Sequence, residues 1–242
     1  ACDVAVETSR GSAKTSISWR RGYRIIPKFL MGKPTDVFAI KMNFLPIFLR
    51  NLLAGFIAHI NNGSNKIYGL PEPDHKFGAT HPTINSELLY KIRHGKIKPR
   101  VEIERFEGKK VFFKDKSIED FDVVIACTGF VLAHPFFDKK FLNYSEGPVP
   151  LYLKMFHPTY DNLYFIGMFQ PLGCIWPGAE QQSKLAALAL KGSWKRPANI
   201  DVLCEREVTH PHMKQINTSR HRITVDFHRF MRDLKTQIIK TA

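Results

Sequence analysis

Glu104–Phe130 reads ERFEGKKVFFKDKSIEDFDVVIACTGF, and this stretch decides the fold class. Val101–Glu107 and Lys110–Lys114 read as two strands, with Gly108 between them as a tight turn. Phe121–Ala126 is a nearly continuous apolar run, the pattern expected of a strand buried on both faces. It stops at Cys127, Thr128 and Gly129. Small residues there let a backbone or a ligand approach the sheet edge.

Working outward, 242 residues and 27.8 kDa hold one large domain or two small ones. A composition 44% hydrophobic and 24% charged is that of a globular chain and excludes disorder. The net charge of +14 suits nucleic acid, phosphorylated cofactors or an anionic membrane surface. Lysine and arginine are dispersed, so a basic solvated surface accounts for most of this charge. Cys2, Cys127, Cys174 and Cys204 lie far apart. That spacing argues against a zinc site and against the close pair of disulfide reductases, and fits reduced thiols in a cytoplasmic protein. Val37–Ile60 is the most apolar region, but Lys41, Pro46, Arg50 and Asn51 interrupt it. It reads as a helix pair covering a core rather than a membrane span, with contact to a membrane surface as the second reading.

Toward the start, Ala1–Thr8 (ACDVAVET) carries small and apolar residues at helical spacing, and Gly11 and Ser12 break the pattern. Lys14–Trp19 predicts a short strand that ends at Arg20, Arg21 and Gly22. In a nucleotide-binding βαβ unit a glycine loop precedes such a helix. The residue that reads the ribose 2′ position follows about 20 residues later, at the end of the second strand. With Ala1 as the last small position of that loop, Arg20 falls 20 − 1 = 19 residues on. A guanidinium there offers forked donors to a 2′-phosphate. Ser18, Arg20 and Arg21 are therefore candidate nucleotide-binding residues, although ordinary strand-end charges would look the same. No GxGxxG occurs in the sequence, which reads as beginning partway through a nucleotide-binding unit.

Ile25–Asn62 predicts helices punctuated by Pro27, Pro34 and Pro46, followed by loop through Asn85. Ser86 is the expected N-cap of a helix over Glu87–His94, stopped by Gly95. Beyond Gly129, Val149–Met155 and Asn162–Gly167 predict two strands. Gln170, Pro171, Leu172 and Gly173 form a polar loop before a strong helix, Ala179–Lys191, and Val225–Ile239 predicts a terminal helix. A glycine loop running into a helix N-terminus offers free N–H groups to a cofactor, though a helix merely packed on a sheet has the same pattern. No Ser/His/Asp set or carboxylate pair stands out, and His75, His81, His134 and His157 read as loop-structuring residues.

Several of these segments together resemble the flavin-containing monooxygenases of class B, the N- and S-oxidising kind. They are ACDVAVETSR, ISWRRG, YGLPEPDH, HPTINSELLYKIRHGKIKPR, DVVIACTGF, NLYFIGMFQPLGCIWPGAEQQSKLAAL and the closing VDFHRFMRDL. The resemblance implies an α/β, Rossmann-like fold with two dinucleotide-binding domains, here incomplete. Residues 1–129 would be the NADP-binding domain, truncated at its start. Residues 130–242 would be the C-terminal part of the FAD-binding domain with terminal helices. It also implies FAD and NADP as cofactors, with Arg20 and Arg21 matching the residues that hold the 2′-phosphate. Cys127, Thr128 and Gly129 match the crossing between domains, and Gln170–Gly173 match the loop near the flavin. The implied reaction begins with NADPH reducing FAD. O2 then adds to give a C4a-hydroperoxyflavin, and one oxygen passes to a small nitrogen or sulfur nucleophile. The cofactor does the chemistry, so no catalytic side chain is assigned. Two other readings stand beside this one. One is a non-catalytic basic module binding nucleotide or nucleic acid, although the usual nucleic-acid motifs are absent. The other is an inactive remnant, since affinity for either cofactor depends on glycine loops this sequence does not contain.

Overall fold

The computed structural model describes residues 4–7, 15–19, 22–30, 32–42, 45–171, 173–213, 215 and 221–240. The chain is mixed α/β with small sheets and separates into two compact units, Ala1–Phe130 and Val131–Ala242.

In the first unit, Val4–Glu7 (β1), Thr15–Ser18 (β2), Ile97–Arg100 (β7) and Val123–Ala126 (β11) form one sheet in the order β11-β1-β2-β7. Strand β1 runs antiparallel to both neighbours, and β2 runs parallel to β7. The opening helix expected over Ala1–Thr8 is therefore not found where the chain is described. Val4 and Val6 alternate with period two, and pairing on both sides satisfies the backbone of this segment as a strand. The step from β1 to β2 is antiparallel, not the helix-to-strand step of a βαβ unit.

Three further short strands follow β2: Ile25–Ile26 (β3), Phe29–Leu30 (β4) and Lys33–Pro34 (β5). They replace helix at the start of the predicted helical region. Helix α1 spans Thr35–Lys41 and α2 spans Ile47–Asn62, the latter entered through Pro46. The apolar stripe of α2 does not cover a core. Phe48, Leu52, Phe56 and Ile60 are each more than 60% exposed, while Gly55 lies against Phe77. No helix among the described residues is long and apolar enough to cross a membrane.

Strand β3 pairs in parallel with Thr83–Ile84 (β6). Helix α3, Leu88–Arg93, has Glu87 at its N-cap position, and the side chain that takes its first N–H groups is that of Asn85, not Ser86. The Asn85 side-chain oxygen accepts from Glu87 N and Leu88 N at 2.8 Å each, whereas the Ser86 hydroxyl accepts from Lys28 N. Gly95, with φ +68°, ends the helical turn. Ile103–Glu107 (β8) and Lys110–Phe113 (β9) make the predicted hairpin, closed at Glu107–Lys110 with Gly108 at φ +58°. Ile118–Asp120 (β10) adds a third strand. Val111, Phe113 and Phe121 bury themselves beneath it.

The predicted doubly buried strand is only half right. Phe121 is buried, but β11 starts at Val123 and lies at the sheet edge, with Val123, Val124 and Ile125 all exposed. An apolar run has the same sequence at an edge as at a centre; only its neighbours decide burial.

In the second unit, Trp176–Leu190 (α4), Ile200–Thr209 (α5) and Phe227–Ile239 (α6) enclose a core around Phe156, Phe169, Leu185, Trp194, Phe230 and Leu234. Asp226 caps α6 by accepting from Arg229 N at 2.9 Å. Gly178 is required by the packing: a Cβ there would stand 2.3 Å from the Phe169 ring. The strands expected at Val149–Met155 and Asn162–Gly167 are reduced to isolated bridges, Tyr152–Phe156 and Phe156–Tyr164. Leu153 and Lys154 adopt φ of +52° and +54°, which turns the chain where a strand would have continued.

Candidate functional site

In the first unit Ser18 and the turn that begins at Cys127 lie at the same end of the sheet. Val4 pairs with Ser18 on one side and with Ala126 on the other. The C-terminal ends of β2, β7 and β11 therefore share a rim, and the Ser18 and Ala126 backbones stand two strand spacings, about 10 Å, apart. In open α/β sheets the carboxyl ends of strands are where ligands are held. Cys127, Thr128 and Gly129 follow on from β11, all exposed, and Gly129 has φ +88°. Ser18 is buried and its hydroxyl donates to Val101 O at 2.8 Å, so it ties β2 to the end of β7. Trp19 N donates to Arg100 O at 3.2 Å. The Trp19 indole Nε1 is buried without an acceptor among the described residues. Arg20 and Arg21 lie outside the described residues.

The other predicted group lies in the second unit. Gln170 N donates to Ile223 O at 2.8 Å, and Val225 N donates to Gln170 O at 3.1 Å. This short parallel bridge pins the loop to the segment entering α6. Pro171 is buried, Gly173 is exposed with φ +122°, and Leu172 lies outside the described residues.

Sequence reasoning missed the polar groups that hold the second unit together. Gln182 on α4 is fully buried: its oxygen accepts from Gly167 N at 2.8 Å and its Nε2 donates to Leu153 O at 3.0 Å. The Lys154 ammonium meets the Glu207 carboxylate at 3.2 Å, and both are nearly sealed from water. Beside them Cys204 Sγ accepts from Tyr152 N, and burial pushes its thiol up to about 11. Burial also pushes the Tyr144 phenol up to about 12 and holds His212 below its usual range, where Glu207 and Asp233 oppose the shift. His157 is likewise lowered by burial, with Arg196 adding to the effect. Its Nδ1 accepts from Thr159 N and Tyr160 N, which makes it a loop-structuring residue. Glutamine within AEQQSKLAAL carries no sequence signal for such a role, because its partners lie 15 and 29 residues away.

The model of the flavin-binding monooxygenase-like family matches residues 1–241, and the chain belongs to that family. Flavin-containing monooxygenase 5 of Rattus norvegicus is 31% identical over 236 residues, covering 93% of this chain and 44% of that protein. Dimethylaniline monooxygenase [N-oxide-forming] 2 of Oryctolagus cuniculus is 30% identical over 217 residues, covering 85% of this chain and 40% of that protein. The chain thus spans less than half the length of the curated relatives it matches.

The family implies FAD and NADP(H) as cofactors. The rim has features that suit a phosphorylated nucleotide. They are an indole N–H at Trp19 with no acceptor among the described residues, an exposed Thr128 and a Gly129 backbone free of side-chain bulk. The sequence offers no glycine loop for a pyrophosphate, and no residue is assigned to one.

Proposed function

We propose that this chain serves an NADPH- and FAD-dependent monooxygenase acting on small molecules that carry a soft nitrogen or sulfur atom. In this reading residues 1–129 hold the nicotinamide nucleotide and residues 130–242 return to the flavin side, as in a two-dinucleotide flavoprotein. The division between compact units after Phe130 supports that boundary. When bound, the reduced flavin supplies the reaction with O2; one oxygen atom goes to the substrate and the other leaves as water, with two electrons from NADPH and a proton completing the balance. The chain's own residues position and shield. Ser18 fixes the end of β2 through Val101, Thr128 and Gly129 form the open lip of the rim, and Arg20 and Arg21 grip the 2′-phosphate. Gln170–Gly173, braced by the bridge to Thr224, approach the flavin.

The observation that carries this reading is the common rim of Ser18 and Ala126, which brings the ends of β2 and β11 together in a chain of this family. The test uses the protein as its gene encodes it, supplied with FAD, NADPH, O2 and either an aryl dialkylamine or a thioether. The expected result is NADPH consumption matched by an N-oxide or sulfoxide one oxygen atom heavier than the substrate. Flavin-loaded protein that yields no oxygenated product from either substrate class would overturn the reading.

A further inference from the structure

A second group of cations lies where β3 meets β6. These strands run parallel, and Thr83 N donates to Arg24 O at 2.7 Å, so Arg24 and the loop that enters β6 lie side by side. Arg24 and the 75–80 loop line a small, open-mouthed cavity.

We propose that Arg24 and Lys76 form a binding site for a phosphate group. Arg24 Nε is buried and has no acceptor among the described residues. A guanidinium N–H is always charged and always a donor, and leaving it buried and unpaired costs free energy that a bound oxyanion would offset. Lys76, exposed at the mouth, makes no ion pair with a described carboxylate, and it lines the same cavity. The nearby carboxylate, Asp74, accepts from the His75 ring at 2.8 Å. Two cations, Arg24 and Lys76, therefore line the cavity, and no carboxylate does among the described residues.

The loop is also held in shape. The buried His75 ring spans Asp74 and Thr80, with both ring nitrogens at 2.8 Å from their oxygen partners. Ala79 N donates to Lys76 O at 3.2 Å. Gly78 sits at φ +86° against Asn51 of α2, where a Cβ would stand 2.6 Å from the Asn51 amide nitrogen. Such bracing fixes Lys76 opposite Arg24 before any ligand arrives, which is what a site for a compact tetrahedral anion requires. Arginine supplies directed forked donors and lysine a mobile point charge, a pairing that suits phosphate.

The proposal does not rest on the flavin reading, because inorganic phosphate alone tests it. Phosphate also reaches a protein on a ribose, so the probes are inorganic phosphate and 2′-AMP. Binding is measured by calorimetry at fixed ionic strength in an Arg20→Gln/Arg21→Gln background, which removes the rim's own grip on a 2′-phosphate, for the protein otherwise native and with Arg24→Gln, Lys76→Gln or the control Lys240→Gln added, with folding checked by circular dichroism. Saturable binding weakened about tenfold or more in both site variants, and unchanged in the control, is the expected result; 1.4 kcal/mol corresponds to each factor of ten. Tighter binding of 2′-AMP than of phosphate assigns the group to a nucleotide, and equal binding assigns it to free phosphate; both support the site. Otherwise native protein that saturates with neither probe, or Lys76→Gln protein that binds both like the otherwise native chain, overturns it.

Discussion

The Lys154 ammonium stands 3.2 Å from the Glu207 carboxylate, with the two side chains 4% and 10% exposed. Glu207 also accepts from Leu153 N at 3.3 Å, so one carboxylate secures both residues of the left-handed turn. Removing one partner strands the other charge away from water. Glu207→Gln is expected to destabilise the protein by about 3 kcal/mol. The double variant Lys154→Met/Glu207→Leu leaves no buried charge and is expected to recover much of that loss. Urea denaturation of the three proteins checks this; a double variant less stable than Glu207→Gln would refute the role given to the charge.

Gln182 replaces backbone pairing that the turn at Leu153 removes. Gln182→Leu keeps the side-chain volume near its original value but leaves Gly167 N and Leu153 O unpaired in the core. At about 1–3 kcal/mol for each of the two orphaned groups, a loss of about 2–6 kcal/mol is expected. A urea midpoint within error of the native one would contradict the bridging role.

Cys204 is buried with its thiol pushed up to about 11, while Cys127 and Cys174 are exposed. An aromatic disulfide reagent is expected to modify Cys127 and Cys174 quickly in the native protein and Cys204 only after unfolding. The pH dependence has a definite sign. The folded state holds the thiol proton more tightly than the unfolded chain, whose thiol titrates near its ordinary value of 9.0. Stability from this group is therefore complete below 9 and is lost as pH rises toward 11. Cys204→Ala should flatten that part of the urea midpoint profile; an unchanged slope would count against burial as the cause.

His212 works in the opposite direction. Burial, its largest influence, lowers the proton affinity of the folded state, against the pull of Glu207 and Asp233 and with the push of Arg229 and Lys154. Stability is full above the unfolded value near 6.5 and falls as pH drops below it. His212→Gln is expected to lessen the loss of stability between pH 7.5 and 5.5. A steeper loss in the variant would show that His212 is stabilised as the cation instead.

Local signals made some of this fold legible and not the rest. Gly108 between two strand-like segments announced the β8–β9 hairpin, and the amphipathic run Val225–Ile239 announced α6, because each pattern and its structural partner lie within a few residues. Val149, Leu151, Leu153 and Met155 alternate like a strand, yet the chain turns there because Gln182, Glu207 and Cys204, 29 to 54 residues away in the contacts they make, satisfy its backbone. The same limit hid the exposure of β11 and the strand at Val4–Glu7, since sheet position is set by pairing and not by composition. Of the candidate site, the Thr128-Gly129 stop was visible in the sequence. The approach of Arg24 to the 75–80 loop was not, because it depends on a pairing with Thr83 that no local pattern encodes.

The central claim is that the rim at the ends of β2 and β11 serves a nucleotide bearing a 2′-phosphate. Equilibrium binding of NADPH and NADH, followed by tryptophan fluorescence in the native protein and in Arg20→Gln/Arg21→Gln, tests it most directly. The account predicts NADPH bound at least about tenfold more tightly than NADH, a preference of about 1.4 kcal/mol or more that the double variant loses. Equal affinity for the two nucleotides in the native protein, or a preference that survives the double substitution intact, would contradict it.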